Sequence, residues 1–145
     1  MFHVIGIEFH LANDFDNYAI MEVAMLTALG KELRRLRIEK DEKMLDMARR
    51  LQVSTGMMSS VERGKKTPPK GFEEAVIRAY SLASDAAEHM RRAADQSRNA
   101  FTLQPTSEIG RDTAGLLARR MDELTDAQLE GIQKILDEGG KSGGQ

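Results

Sequence analysis

At 145 residues the chain is long enough for one domain plus an extension around a single core, and without cysteine it has neither a disulfide scaffold nor a cysteine-ligated zinc site. The net charge of −2 conceals an uneven distribution: residues 1–26 carry four acids and no base (−4), residues 27–70 twelve bases and six acids (+6), and residues 71–145 nine and thirteen (−4). His3, His10 and His89 are scattered, with no Ser/His/Asp arrangement or HExxH spacing around them, so the sequence points to no enzyme, no metal and no cofactor.

No apolar run approaches the ~20 residues of a membrane span, and the first residues lack the basic start of a signal peptide. A cytoplasmic protein without a membrane partner is expected. The opening MFHVIGIEFHLANDFDNYAI mixes β-branched and aromatic residues with an acidic middle. It suits a short strand, a flexible arm, or sequence upstream of a natural start at Met21 or Met25.

From Thr27, LGKELRRLRIEK places Leu29, Leu33, Leu36 and Ile38 as the apolar positions of an amphipathic helix. KMLDMARRL follows, with Met44, Met47, Ala48 and Leu51 at helical spacing. After a break at Gln52, Ser54 is placed to cap a third helix whose inward pair is Met58 and Val61. Gly64 ends that helix, and Pro68 and Pro69 forbid its continuation.

FEEAVIRAYSL predicts a fourth helix with Phe72, Val76, Ala79 and Tyr80 inward, and SDAAEHMRRAADQSRN a fifth, capped by Ser84. The alternating run Phe101-Thr102-Leu103 before Pro105 predicts a brief strand. IGRDTAGLLARRMDEL and TDAQLEGIQKIL predict a final helical pair, with Thr125 and Gln128 spaced as a capping box, and the tail from 139 to 145 is expected to be disordered.

Residues 43 to 66 carry the most information. Two short helices joined by a tight turn need a small residue in the first and an apolar residue dropped from the turn into the core, and Ala48 and Val53 meet those needs. The second helix then presents Thr55, Gly56, Ser59 and Ser60 outward. Met47-Ala48, Leu51, Val53-Ser54, Met58-Ser59 and Glu62-Arg63-Gly64 together resemble the pattern of the Cro/Xre-type, lambda-repressor-like helix-turn-helix family, over about residues 27 to 82.

The resemblance implies a DNA-binding regulator and a role for each matching position. Arg37 and Glu62 fall where the family pairs a helix-one arginine with the glutamate before the closing glycine, a structural ion pair. Lys43, Ser54, Arg63, Lys65, Lys66 and Lys70 fall where phosphate is contacted. Thr55, Gly56 and Ser60, with Met57 and Ser59 beside them, fall where bases are read.

Three positions depart from the pattern. Met44 stands where Gln often clamps phosphate, Gln52 stands where Gly is common, and Gly56 leaves a gap on the reading face. With no Arg, Gln or Asn on that face, a bidentate grip on guanine or adenine is missing. Affinity is therefore expected from lysines on phosphate, and selectivity from hydroxyl and methyl contacts, dimer spacing and DNA shape.

The fold expected is all-α: a five-helix lambda-repressor-like domain, then a short strand and a C-terminal helical pair. The expected divisions are an extension (1–26), the helix-turn-helix domain (27–83), a dimerisation region (84–138) and the tail (139–145). Phe101, Leu103, Leu116, Leu117, Met121, Leu124, Leu129, Ile132 and Leu136 exceed the apolar needs of the core and are expected to pair with a second copy. The chain is too short for the protease-like domain that some phage repressors append. Expected partners are double-stranded DNA and a second copy, in a repressor on an inverted-repeat operator. An antitoxin holding a toxin, or a protein-interaction adaptor, remains open.

Overall fold

The computed structural model describes Met21 and residues 25–140. Among these, seven α-helices and one 3₁₀ turn follow in order: α1 (Ala28–Glu39), α2 (Met44–Leu51), α3 (Thr55–Glu62), α4 (Phe72–Tyr80), α5 (Ser84–Gln96), α6 (Glu108–Arg120), the 3₁₀ turn (Met121–Glu123) and α7 (Asp126–Gly140). The expectations for residues 1–20 lie outside the described residues. Two compact units divide between Ala100 and Phe101.

In the first unit, Leu29, Leu33 and Leu36 of α1 meet Met47 and Ala48 of α2, Met58 and Val61 of α3, Phe72 and Val76 of α4, and Met90 and Ala94 of α5 in one buried cluster. Val53, in the turn between α2 and α3, packs against it. Gln52 takes the left-handed conformation (φ 57°, ψ 40°) that closes α2, at a cost of about 1 kcal/mol for a residue with a Cβ. Ser54 then caps α3, its hydroxyl accepting from the Met57 amide at 3.0 Å.

The start of α1 is built onto the end of α3. Thr27 caps α1 by accepting from the Gly30 amide at 3.0 Å, while its own amide and hydroxyl donate to the Glu62 carbonyl at 2.8 and 3.2 Å. A final-turn carbonyl of α3 is thereby satisfied by a neighbouring helix. The crossing is so close that a Cβ on Gly30 would stand 2.3 Å from the Glu62 carbonyl oxygen, so glycine is required there.

Four expectations need correction. Ile38 is 73% exposed, because two residues beyond Leu36 is about 200° around a helix, away from the core. Helix α5 belongs to the first unit: Ala87, Met90, Ala93 and Ala94 are buried and the Leu29 amide donates to Ser97 Oγ at 3.1 Å, so the division falls at Ala100 rather than at 83. Ser84 is the first residue of α5, and Ala83 stands at its cap without a side-chain bond; Leu82, packed on the core, holds the linker so that the helix starts early. Phe101-Thr102-Leu103 is not a strand: among the described residues no ladder partner meets it, and Phe101 and Leu103 are 62% and 61% exposed.

The second unit consists of α6 and α7 joined through the 3₁₀ turn. Ser107 caps α6, accepting from Gly110 at 3.0 Å. At the start of α7 the Thr125 amide donates to Gln128 at 2.9 Å and the Gln128 amide to Thr125 at 3.3 Å, a reciprocal capping box. Helix α7 runs to Gly140, two residues into the expected tail, and the remainder lies outside the described residues.

Candidate nucleic-acid interface

The sequence makes α3 amphipathic in an unusual way: one face is apolar and the other carries only small, uncharged side chains. Met58 and Val61 are buried, Thr55 and Gly56 are exposed, and Ser59 and Ser60 are half-buried. Met57, expected beside the reading face, packs against the edge of the core instead.

Behind the helix, Arg37 of α1 and Glu62 form a two-pronged ion pair. One guanidinium nitrogen bonds Glu62 Oε1, the other reaches Oε2 at 3.3 Å, and the first also lies 3.8 Å from Met47 Sδ. Arg37 is 8% and Glu62 3% exposed, so neither reaches the outer face. Because the fork engages both carboxylate oxygens, it fixes the rotation of α3 about its axis as well as its distance from α1.

The loop after α3 is held at both ends. Gly64 (φ 71°) reverses the chain, and the Lys65 and Lys66 amides donate to the Ser60 carbonyl at 2.8 and 3.1 Å. Pro68 is buried. Arg98, beyond the end of α5, grips Glu73 through two bonds of 2.7 and 3.1 Å and donates to the Pro69 carbonyl at 3.2 Å. The side chains of Lys65, Lys66 and Lys70 stand on a pinned backbone and are exposed, as is Arg63. Lys43 is exposed before α2, where its amide donates to Asp46 at 2.9 Å.

Arg98 was not legible as a site residue, because Glu73 lies far outside helical spacing from it. The same holds for a cluster between α2 and α4. Tyr80 and Arg50 both donate to Glu42, and the Arg50 guanidinium lies 4.9 Å from the Tyr80 ring centroid. The hydrogen bond from Tyr80, then Arg50, holds the Glu42 carboxyl below its ordinary value. Burial, then the bond to Glu42, pushes the Tyr80 hydroxyl up from 10.0 to about 12.

A pH dependence follows from the raised Tyr80 value. Below about pH 10 both folded and unfolded chains keep the phenol protonated and this contribution is intact; between about 10 and 12 the unfolded chain ionises first and stability is lost. Tyr80→Phe is expected to remove that part of the alkaline loss, as thermal melts of both proteins across this range would register. Equal alkaline losses in the two proteins would contradict the assignment.

Residues 28–90 match the family model described as a helix-turn-helix domain. No curated protein and no solved structure matches the chain. The match begins at the first residue of α1 and takes in α2, the Gln52 turn, α3 and the first half of α5. With α3 locked from behind and Thr55 and Gly56 exposed on its outer face among the described residues, the geometry of residues 28–90 agrees with that helix-turn-helix match and is consistent with a Cro/Xre-type regulator.

Proposed function

We propose that the chain is a sequence-specific regulator of transcription, acting in the cytoplasm as a homodimeric repressor on an inverted-repeat operator. The observation that carries this reading is the helix-turn-helix match over α2 and α3 together with the polar, uncharged outer face of α3 beside a pinned basic loop. In this reading α3 enters the major groove and Thr55, Gly56, Ser59 and Ser60 lie against base edges, with Met57 contributing from the rim. Lys43, Ser54, Arg63, Lys65, Lys66 and Lys70 lie along phosphates. The hydroxyl of Ser54 already caps α3, so its phosphate contact would be a second bond.

Phosphate contacts raise affinity for every sequence alike and release counterions in proportion to their number. Lys65→Ala combined with Lys66→Ala is therefore expected to weaken binding about equally on a selected operator and on random DNA. The salt slope should fall by roughly one to two units. Titrations at several salt concentrations measure it, and an unchanged slope would remove these lysines from the interface.

The homodimer is supported by the second unit. No side chain in α6, the 3₁₀ turn or α7 is buried. Leu116, Leu117, Leu124, Ile132 and Leu136 instead line an open groove of about 480 Å³. Leu116 and Leu136, 51% and 69% exposed, forgo part of the about 1.5–3 kcal/mol that full burial of such a side chain is worth, which favours a partner over the second unit alone. We assign that partner as a second copy, with Phe101, Leu103, Met121 and Leu129 at the same junction. Arg119 and Arg120 at the end of α6 offer charge opposite to Asp137 and Glu138 at the end of α7. The same groove favours, as the second reading, an antitoxin or adaptor that holds a different protein there.

A further inference from the structure

The glycines of the helix-turn-helix do not share one cause. A Cβ on Gly30 would collide with backbone, and Gly64 has a positive φ of 71°, with Thr27 Cγ2 only 2.8 Å from where a Cβ would stand; both are needed by the fold. Gly56 is not. It is exposed, its φ is not positive, and the nearest atom to an added Cβ is Ser54 Oγ at 3.9 Å. Among the described residues nothing blocks a Cβ there, and alanine would favour the helix over glycine.

The missing side chain leaves the backbone of α3 uncovered at Gly56, which is exposed. Its neighbours on the same face are Thr55 and, one turn further on, Ser59 and Ser60. No charged or amide side chain reaches it from α3. In the major groove the one apolar feature of a base pair is the 5-methyl group of thymine. Resting on the DNA-binding reading above, we propose that Gly56 is a specificity-determining residue: a thymine methyl seats directly on the helix backbone at Gly56, where any Cβ would displace it.

The test uses the full-length chain and the duplex it selects from a randomised pool. Each thymine of that duplex is replaced in turn by uracil, which removes the methyl group and leaves the hydrogen-bonding edge unchanged. At one thymine in each half-site the replacement is expected to lower wild-type affinity about fourfold, the worth of one buried methyl group. Gly56→Ala is expected to melt about 4–8 °C higher than wild type. It should bind the selected duplex at least about fourfold more weakly per half-site, and it should no longer respond to uracil at that position.

A gain in melting temperature with a loss of affinity separates this role from a structural one, which would lower both. Wild-type affinity in Gly56→Ala, uracil effects of equal size in both proteins, or no sensitive thymine at all would each overturn the proposal. A wild-type chain that selects no sequence overturns the DNA-binding reading itself, and the proposal with it. Selection that succeeds while Gly56→Ala binds normally overturns the proposal alone.

Discussion

Glu62→Ala is expected to cost the first unit about 3–5 kcal/mol, because the variant leaves the Arg37 guanidinium buried without its carboxylate. Against the 5–15 kcal/mol of a typical domain, that is a drop in melting temperature of about 15 °C or more. Removal of the acceptor also leaves the rotation of α3 to the Thr27 bonds on the carbonyl of residue 62 and to the buried Met58 and Val61. Thermal melts and binding to a selected operator separate the two roles this glutamate could have. A variant with wild-type melting but an altered preference among bases would move Glu62 onto the reading face and dissolve the structural assignment.

Removal of residues 101–145 is the second large effect expected. The division of the chain at Ala100 leaves α1 to α5 and their core complete, so the truncated chain should remain folded. It should nonetheless become monomeric and lose about 10²–10⁴-fold in affinity for the inverted repeat, because two weak modules gain from effective concentration only while joined. Two α3 helices of one dimer must enter successive major grooves about 34 Å apart. Shifting the half-sites by about five base pairs would place them on opposite faces of the duplex and should lower the affinity of the intact chain to that of the truncated one. Light scattering and gel shifts on the spacing series measure both. A truncated chain that stays dimeric, or binding indifferent to spacing, would give the α6–α7 groove to another protein and favour the antitoxin or adaptor reading.

The residues behind these two effects differ in how legible they are in the sequence. Helices and caps follow from local rules. Leu29, Leu33 and Leu36 recur at the spacing that builds one buried stripe, Ser54 and Thr125 stand where free amides need an acceptor, and Gly64 and Pro68 end what they should end. Ala48, Val53, Met58 and Val61 are legible for the same reason, since a helix-turn-helix constrains size and polarity within two turns of chain. The family resemblance then supplied Arg37 and Glu62, a pair that spacing alone could not have matched.

What depended on distance in sequence was hidden. The packing of α5 onto α1, which moves the division from 83 to Ala100, rests on Met90 and Ala94 joining the buried cluster of Leu29, Leu33 and Leu36 and on the bond from Leu29 to Ser97. Arg98 on Glu73 and Pro69, and Glu42 between Tyr80 and Arg50, join residues with no periodic relation. The alternation at Phe101-Thr102-Leu103 misled because a strand is defined by its neighbour, and local pattern reports only readiness to pair. The sequence by itself thus determined the helices and, with Ile38 and Met57 as exceptions, which residues of α1 and α3 face inward, consequences of steric and hydrogen-bonding rules that act within a turn or two. Tertiary structure alone decided which glycines the fold requires: the 2.3 Å approach of Glu62 to Gly30, and the room for a Cβ at Gly56 among the described residues, depend on where helices distant in the chain come to lie.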